Sequence, residues 1–290
     1  MKTKIITAVV NNPRFIEIQH YTIQKHFKGE YEFIVFNDAK GFPDFTNGND
    51  IGVKSQIEET CRRLHIQCIN IPNDGHRTLK CPVARCRDSM NYILDYQRKN
   101  PDRYLMLDSD MFLIDDFDIE AKYSAYECAI ILQQRERSRT NYFWNGIYYF
   151  DMTRMKDLEL LNWDHFADCD VGGRMSQWLE KQMAGKPMPD QNEIRWTNKR
   201  FHTDRIYFMK HLWSCTWDMT ELPKNIDSDL VLVDFLKGDP RNVGGKFFCE
   251  IYDDVFLHYR AGGNWREEGL GFHQKLSESL YRAIVRKVEV

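Results

Sequence analysis

The sequence predicts an α/β fold built around a mostly parallel sheet, on three observations. Short apolar runs alternate with segments of helical periodicity through the first half of the chain. Those runs are continuously apolar rather than alternating, as strands covered on both faces are. The 290 residues, with 42% hydrophobic and 29% charged side chains, have ordinary globular composition, which excludes a disordered or fibrous chain.

Taken in order, Lys4–Val10 reads as the first strand. Asn12–Pro13 then supplies a helix N-cap and a proline suited to the first helical position. Ile16, Ile23 and Phe27 recur at helical spacing up to Gly29. Phe33–Phe36 is the next strand, ended by Asn37–Asp38. The Gly/Asn/Asp-rich stretch Gly41–Gly52 reads as a loop, Ser55–Leu64 as a helix and Gln67–Ile71 as a strand. Cys86, Met90, Ile93, Leu94 and Gln97 mark one face of a helix starting near Pro82, and Tyr104–Leu107 follows as a short strand. In the second half, Ala129–Leu132, Ile147–Phe150, Leu230–Val233 and Val255–Leu257 read as strands. Met175, Trp178, Leu179 and Met183 fit one helix, and Leu276, Leu280 and Ile284 fit the last. No linker or repeat divides the chain, so residues 1–290 are expected to form one domain. Residues 1–115 form its regular half, and 116–290 elaborate a binding face.

Forty Lys and Arg against 43 Asp and Glu give a net charge of −3, so neither nucleic acid nor an anionic membrane is an expected partner. No run approaches the roughly 20 apolar residues of a membrane span. The apolar stretch before Asn11 is too short for a secretion-signal core of about 7–15 residues, and reads better as a buried strand. The eight cysteines are scattered without C-x-x-C spacing. Free thiols in a reducing, cytoplasmic setting are therefore expected, and a zinc quartet is not. Aromatics at 13% suit a large core or a surface that stacks on sugars or bases; composition leaves both open.

The most informative segment is Tyr104-Leu-Met-Leu-Asp108-Ser-Asp110, where an apolar strand runs straight into two carboxylates. Residues i and i+2 of a strand share a face. In parallel α/β sheets, ligands bind beyond the carboxyl ends of strands. Two converging carboxylates there repel each other unless a cation lies between them, and a hard divalent ion that also takes phosphate oxygens fits. The bland alternative is an Asp-rich turn. Asp115 and Asp116 read as such a turn.

This segment resembles the D-x-D motif of nucleotide-sugar glycosyltransferases with the Rossmann-like GT-A fold. Four more segments resemble the glycogenin-like (family eight) members in the right order: Val83-Ala-Arg85, Trp144-Asn145-Gly146, Pro189-Asp190-Gln191-Asn192, and Leu257-His258-Tyr-Arg-Ala-Gly-Gly-Asn-Trp265. The resemblance implies a single GT-A domain with a nucleotide-sugar half (1–115) and an acceptor and metal half (116–290). It implies Mn²⁺ or Mg²⁺ on Asp108, Asp110 and His258, and a donor nucleotide sugar, a UDP-sugar favoured. Arg85 would reach the donor, and Asn145 and Asp190 the donor sugar. Gln191 would lie beside the reacting carbon, and a glycan or other hydroxyl compound would accept the sugar with retention. Three details depart from the pattern. One residue is missing from the Asn145 segment, Asn192 replaces an Asp, and Asn264 stands in place of a lysine with the following proline absent. Arg260 or Arg266 would then supply the positive charge at the diphosphate.

Several residues carry two readings. Gly262 and Gly263 let backbone N–H groups approach phosphate, or form a plain turn. Trp265 stacks on a sugar or fills the core. Asn11, Asn12 and Asp38 stand at strand ends where this fold commonly meets the nucleobase or ribose, while Asn12 also suits a helix cap. Arg135, Arg137 and Arg139 form a solvated loop or a lid. If transfer inverts instead, Glu193 is one candidate base. A sugar-nucleotide nucleotidyltransferase should carry a Gly-rich basic N-terminal loop, and Ala8–Arg14 has no glycine. A carbohydrate-binding protein would account for the aromatics but not for the ordered motifs.

Overall fold

The computed structural model describes residues 2–44, 51–196, 201–263 and 267–285. The first half alternates as its apolar pattern requires. β1 (Thr3–Val9) leads to α1 (Pro13–His26), where Asn12 Oδ1 accepts the Arg14 N–H at 3.1 Å and caps the helix. Then come β2 (Phe27–Lys28), β3 (Tyr31–Asn37), α2 (Val53–Arg63), β4 (Gln67–Asn70), α3 (Pro82–Lys99) and β5 (Arg103–Asp108). β6 (Met111–Leu113), β7 (Phe117–Asp118) and α4 (Ile119–Tyr123) lead to a long hairpin, β8 (Cys128–Arg135) and β9 (Thr140–Asp151). The rest is more broken: α5 (Ser176–Gln182), α6 (Gln191–Trp196), β10 (Phe201–His202), β11 (Ile206–Phe208), β12 (His211–Leu212), α7 (Lys224–Asp227), α8 (Leu230–Gly238), β13 (Glu250–Tyr252), β14 (Phe256–His258) and α9 (Glu267–Ile284).

The large sheet has the order β10-β11-β8-β9-β5-β1-β3-β4, and its β5-β1-β3-β4 half is wholly parallel. β9 enters antiparallel between β5 and β8. Alternate residues of the parallel strands feed two cores. Ile5, Val9, Val35, Leu105 and Leu107 pack on the α2 side, and Ile6, Ile34, Phe36, Tyr104 and Met106 pack on the α3 side. Both faces are covered, which is why these strands are continuously apolar. A third core joins α1, α8 and α9 to a small antiparallel sheet, β12-β13-β14-β6. Moving β5 by one residue would drive the Asp108 carboxylate into the sheet, so the charge itself marks the strand's end.

One predicted strand is a helix. Leu230–Val233 forms the first turn of α8, capped by Asp229, whose carboxylate accepts the Leu232 N–H at 2.9 Å. Leu232, Val233 and Leu236 face inward, whereas Leu230 and Val231 are exposed. A four-residue apolar run does not distinguish strand from helix, and the acidic cap was the available signal. The Met175–Met183 helix begins with a 3₁₀ turn at Gly173–Met175. The Arg135–Arg139 stretch closes the β8–β9 hairpin. All eight cysteines are unpaired thiols, and among the described residues no helix is long and apolar enough to cross a membrane.

Candidate metal centre

β5 delivers Asp108 as its last residue, and Ser109–Asp110 carries the chain from the large sheet to β6 of the small one. Strand register then places the third candidate ligand. Met111 pairs with His258, and His258 pairs with Glu250. His258 Nε2 lies 3.2 Å from Asp110 Oδ1 and 4.0 Å from Asp108 Oδ2. Asp108, Asp110 and His258 each offer a ligand atom, and these atoms all lie within 4.8 Å of one another. Asp110 and His258 are buried, while the Asp108 side chain is 38% exposed and opens the cluster to solvent.

The imidazole is held from behind. Its Nδ1 is 2.8 Å from Glu250 Oε2, and that oxygen also accepts the Tyr252 hydroxyl at 2.7 Å. Glu250 Oε1 accepts the Ser214 N–H at 3.1 Å. A carboxylate on Nδ1–H leaves Nε2 for the carboxylate pair or a cation, the arrangement that orients metal-binding histidines. Trp144 stacks on Tyr252, with ring centroids 5.4 Å apart and planes at 25°, and lies 5.3 Å from His258. Its indole fills the space a Cβ on Gly146 would need, with the nearest atom 2.1 Å away. Gly146 thus lets Trp144 lie along β9 and brace the small sheet.

Asp110 is gripped twice more. Its Oδ2 accepts the Gly262 N–H at 2.8 Å, and its carbonyl accepts the Tyr259 N–H at 2.9 Å. Between those two donors, Arg260 and Ala261 both adopt left-handed backbone, with φ of 66° and 63°. A Cβ on Gly262 would lie 2.6 Å from Asp110 Cβ and Oδ2, so glycine is required there. A Cβ on Gly263 would meet only Val10 Cγ1 at 3.7 Å.

Electrostatics match a site built for positive charge. Burial and then the neighbouring Asp110 push the Asp108 carboxyl up to about 6. Burial would raise Asp110 as well, but the His258 charge and hydrogen bond and the Gly262 N–H hold it below the ordinary value. Burial likewise opposes a charge on His258, yet Asp110 and Glu250 outweigh it and raise the imidazole to about 10. A proton on His258 therefore supplies the positive charge that a bound cation would replace. Two carboxylates and one imidazole form a mixed O/N donor set that suits Mn²⁺, so the residues present fit the metal. A second grouping, His26, Asp115 and Asp116, lies at the surface, where Lys28 already pairs with Asp116 at 3.0 Å.

The other predicted residues fall into three groups. Near the cluster are Asn145, whose amide donates to Cys86 Sγ at 3.6 Å, and half-exposed Arg260, whose Nε is 3.5 Å from Glu250 Oε1. Burial and then the Asp108 charge raise the Cys86 thiol. A second group is engaged elsewhere. Asp38 accepts from Lys40 Nζ at 2.7 Å, Asn73 Nδ2 at 2.9 Å and Ser89 Oγ at 2.7 Å. Arg85 is buried and clamps loops together through Asp44 Oδ1 and the carbonyls of Leu79 and His76. Gln191 Oε1 accepts the Gln134 N–H at 2.8 Å, and Gln134 Oε1 accepts the Gln191 N–H at 2.8 Å. A third group lines cavities apart from the metal cluster. Asn11 and Asn12 border one of about 330 Å³ between α1, α2 and α9. Asp190 and Glu193 border another of about 440 Å³ beside Pro187, Pro189 and His202. Trp265, Asn264 and Arg266 lie outside the described residues.

Comparison of the chain with protein-family models finds no match, and comparison with curated proteins finds none.

Sequence reasoning missed Glu250. Its signal was the β13–β14 hairpin, two short apolar runs around Asp253 and Asp254, both in left-handed backbone. Once those strands pair, Glu250 must face His258. Glu250→Gln keeps the volume but removes the charge behind Nδ1. Mn²⁺ affinity by titration calorimetry is expected to fall about 10- to 100-fold while the circular dichroism spectrum is unchanged. Unchanged affinity would mean that Glu250 only fills the core.

Proposed function

We propose that this chain is a metal-dependent glycosyltransferase. It moves a sugar from a nucleoside-diphosphate sugar, a UDP-sugar favoured, to a glycan or other hydroxyl acceptor with retention of configuration. The observation that carries this reading is the convergence of Asp108, Asp110 and His258. Two segments far apart in the chain, each resembling a different motif of that family, meet at the carboxyl end of a parallel strand. A divalent cation held there, Mn²⁺ or Mg²⁺, would act as a Lewis acid toward the departing diphosphate.

The chain's own residues supply the rest of the proposed machinery. Glu250 orients His258 so that Nε2 faces Asp108 and Asp110. Arg260, half-exposed and 3.5 Å from Glu250, or Arg266 would take phosphate oxygens. Asn145, whose amide now donates to Cys86 Sγ, would turn to the donor sugar. Asn11 and Asn12 would meet the nucleoside, and Asp190 the sugar hydroxyls, only where the donor reaches from the cluster into the cavities they border. Gln191 would have to leave Gln134 to touch the reacting carbon, and Arg85 acts here by holding loops. The reaction would take place in the cytoplasm, where eight unpaired thiols stay reduced.

A panel of UDP-, GDP- and other sugar nucleotides, incubated with the protein and Mn²⁺, tests this. Release of nucleoside diphosphate from one donor, abolished by EDTA, is expected. Failure of every nucleoside diphosphate to bind in the presence of Mn²⁺, or equal turnover without metal, would overturn it.

A further inference from the structure

The segment Asp108–Met111 crosses from one sheet to another, and the spacing of its two carboxylates depends on the shape of that crossing. One side chain from a different element spans it. Gln19, in the middle of α1, is wholly buried. Its Nε2 donates to the carbonyl of Asp108 at 2.8 Å and to the carbonyl of Met111 at 3.1 Å. A single amide thus ties both ends of the turn that carries Asp110. Four residues earlier and on the same helix face, Phe15 packs on Phe112 and Tyr259, with ring centroids 5.6 and 5.5 Å away. Its Cε2 would lie 2.7 Å from a Cβ on Gly262. One face of α1 therefore backs both the acidic turn and the segment that follows His258.

We infer that Gln19 is a positioning residue for the metal cluster, setting the distance between the Asp108 and Asp110 carboxylates through the two carbonyls it holds. The inference rests on the metal reading above and extends it to a residue that touches neither cation nor substrate. A glutamine among apolar neighbours is otherwise costly in a helix face that meets the core. Both of its amide hydrogens are used on the turn.

The test uses the full chain and the metal alone. Gln19→Met keeps the length and apolar packing but removes both donors, and Gln19→Glu keeps the shape with at most one donor. Each is expected to bind Mn²⁺ at least about 10-fold more weakly by calorimetry, as loss of an outer-shell partner does. Each should also change the visible absorption of a Co²⁺-loaded sample, because the ligand geometry has changed. Thr22→Val is the stability control. Thr22 donates its hydroxyl to the Gln19 carbonyl at 3.1 Å on the same buried face, not to the carbonyls of the turn. It should lower the melting temperature and leave Mn²⁺ affinity and the Co²⁺ spectrum as in wild type. If a folded Gln19 variant matches wild type in both readouts, or Thr22→Val loses as much affinity, the positioning role is overturned and the metal reading stands. If wild type itself binds no Mn²⁺, both fall.

Discussion

Asp110→Asn is expected to abolish divalent-cation binding while leaving the protein folded. Asp110 is the most enclosed of the three candidate ligands, 2% exposed, and its carboxylate meets both His258 and Gly262. One oxygen faces His258 and the other accepts from Gly262. The amide substitute keeps the volume and a carbonyl acceptor for the Gly262 N–H. It removes the charge that would hold a cation and that pairs with the protonated His258. Loss of a direct charged ligand should exceed the about 10- to 100-fold effect of an outer-shell change. Stability should fall by less than the about 3–5 kcal/mol of a fully broken buried pair, because His258 keeps Glu250. Titration calorimetry with Mn²⁺ and a denaturant melt read the two effects separately. Mn²⁺ binding of wild-type strength in folded Asp110→Asn would remove Asp110 from the ligand set.

Gly262→Ala is expected to damage the same site from the opposite side. The added Cβ has no free space: it meets Asp110 Cβ and Oδ2 at 2.6 Å and Phe15 Cε2 at 2.7 Å. None of these is the end of a long, pliable side chain, so the 259–263 segment must move. Overpacking of this kind costs about 1–3 kcal/mol, and the movement also breaks the N–H bond to Asp110. Mn²⁺ affinity and melting temperature should both drop. Gly263→Ala is the internal control, because its Cβ would make an ordinary contact at 3.7 Å. If the two alanine variants behave alike, the close approach of Gly262 to Asp110 is not what shapes the cluster.

Some of this was legible in the chain itself. Ile5, Ile6 and Val9, then Phe33–Phe36, then Tyr104–Leu107 are continuous apolar runs, and continuous runs mean strands covered twice. Asn12–Pro13 and Pro82 announced where helices begin, because capping and fixed φ are local matters. The acidic pair stood out because charge directly after a buried strand has to sit at its end. Leu230–Val233 misled because four apolar residues carry no period, and exposure of Leu230 and Val231 depends on what α8 packs against.

The residues thus determined by themselves the strand–helix alternation, the edge of β5 and the three chemical groups suited to a cation. Only the tertiary structure decided that those groups meet. His258 reaches Asp110 through the β6–β14 pairing, and Glu250 reaches His258 through β13–β14. Gln19 reaches the turn from a helix nearly ninety positions earlier. Likewise, only packing showed that Arg85, Asp38 and Gln191 have partners outside the metal cluster. The physical reason is range. Capping, periodicity and turn chemistry act over a few neighbouring residues and leave their mark in the local sequence. Pairing between distant strands is chosen by the burial of whole faces, which no short motif records.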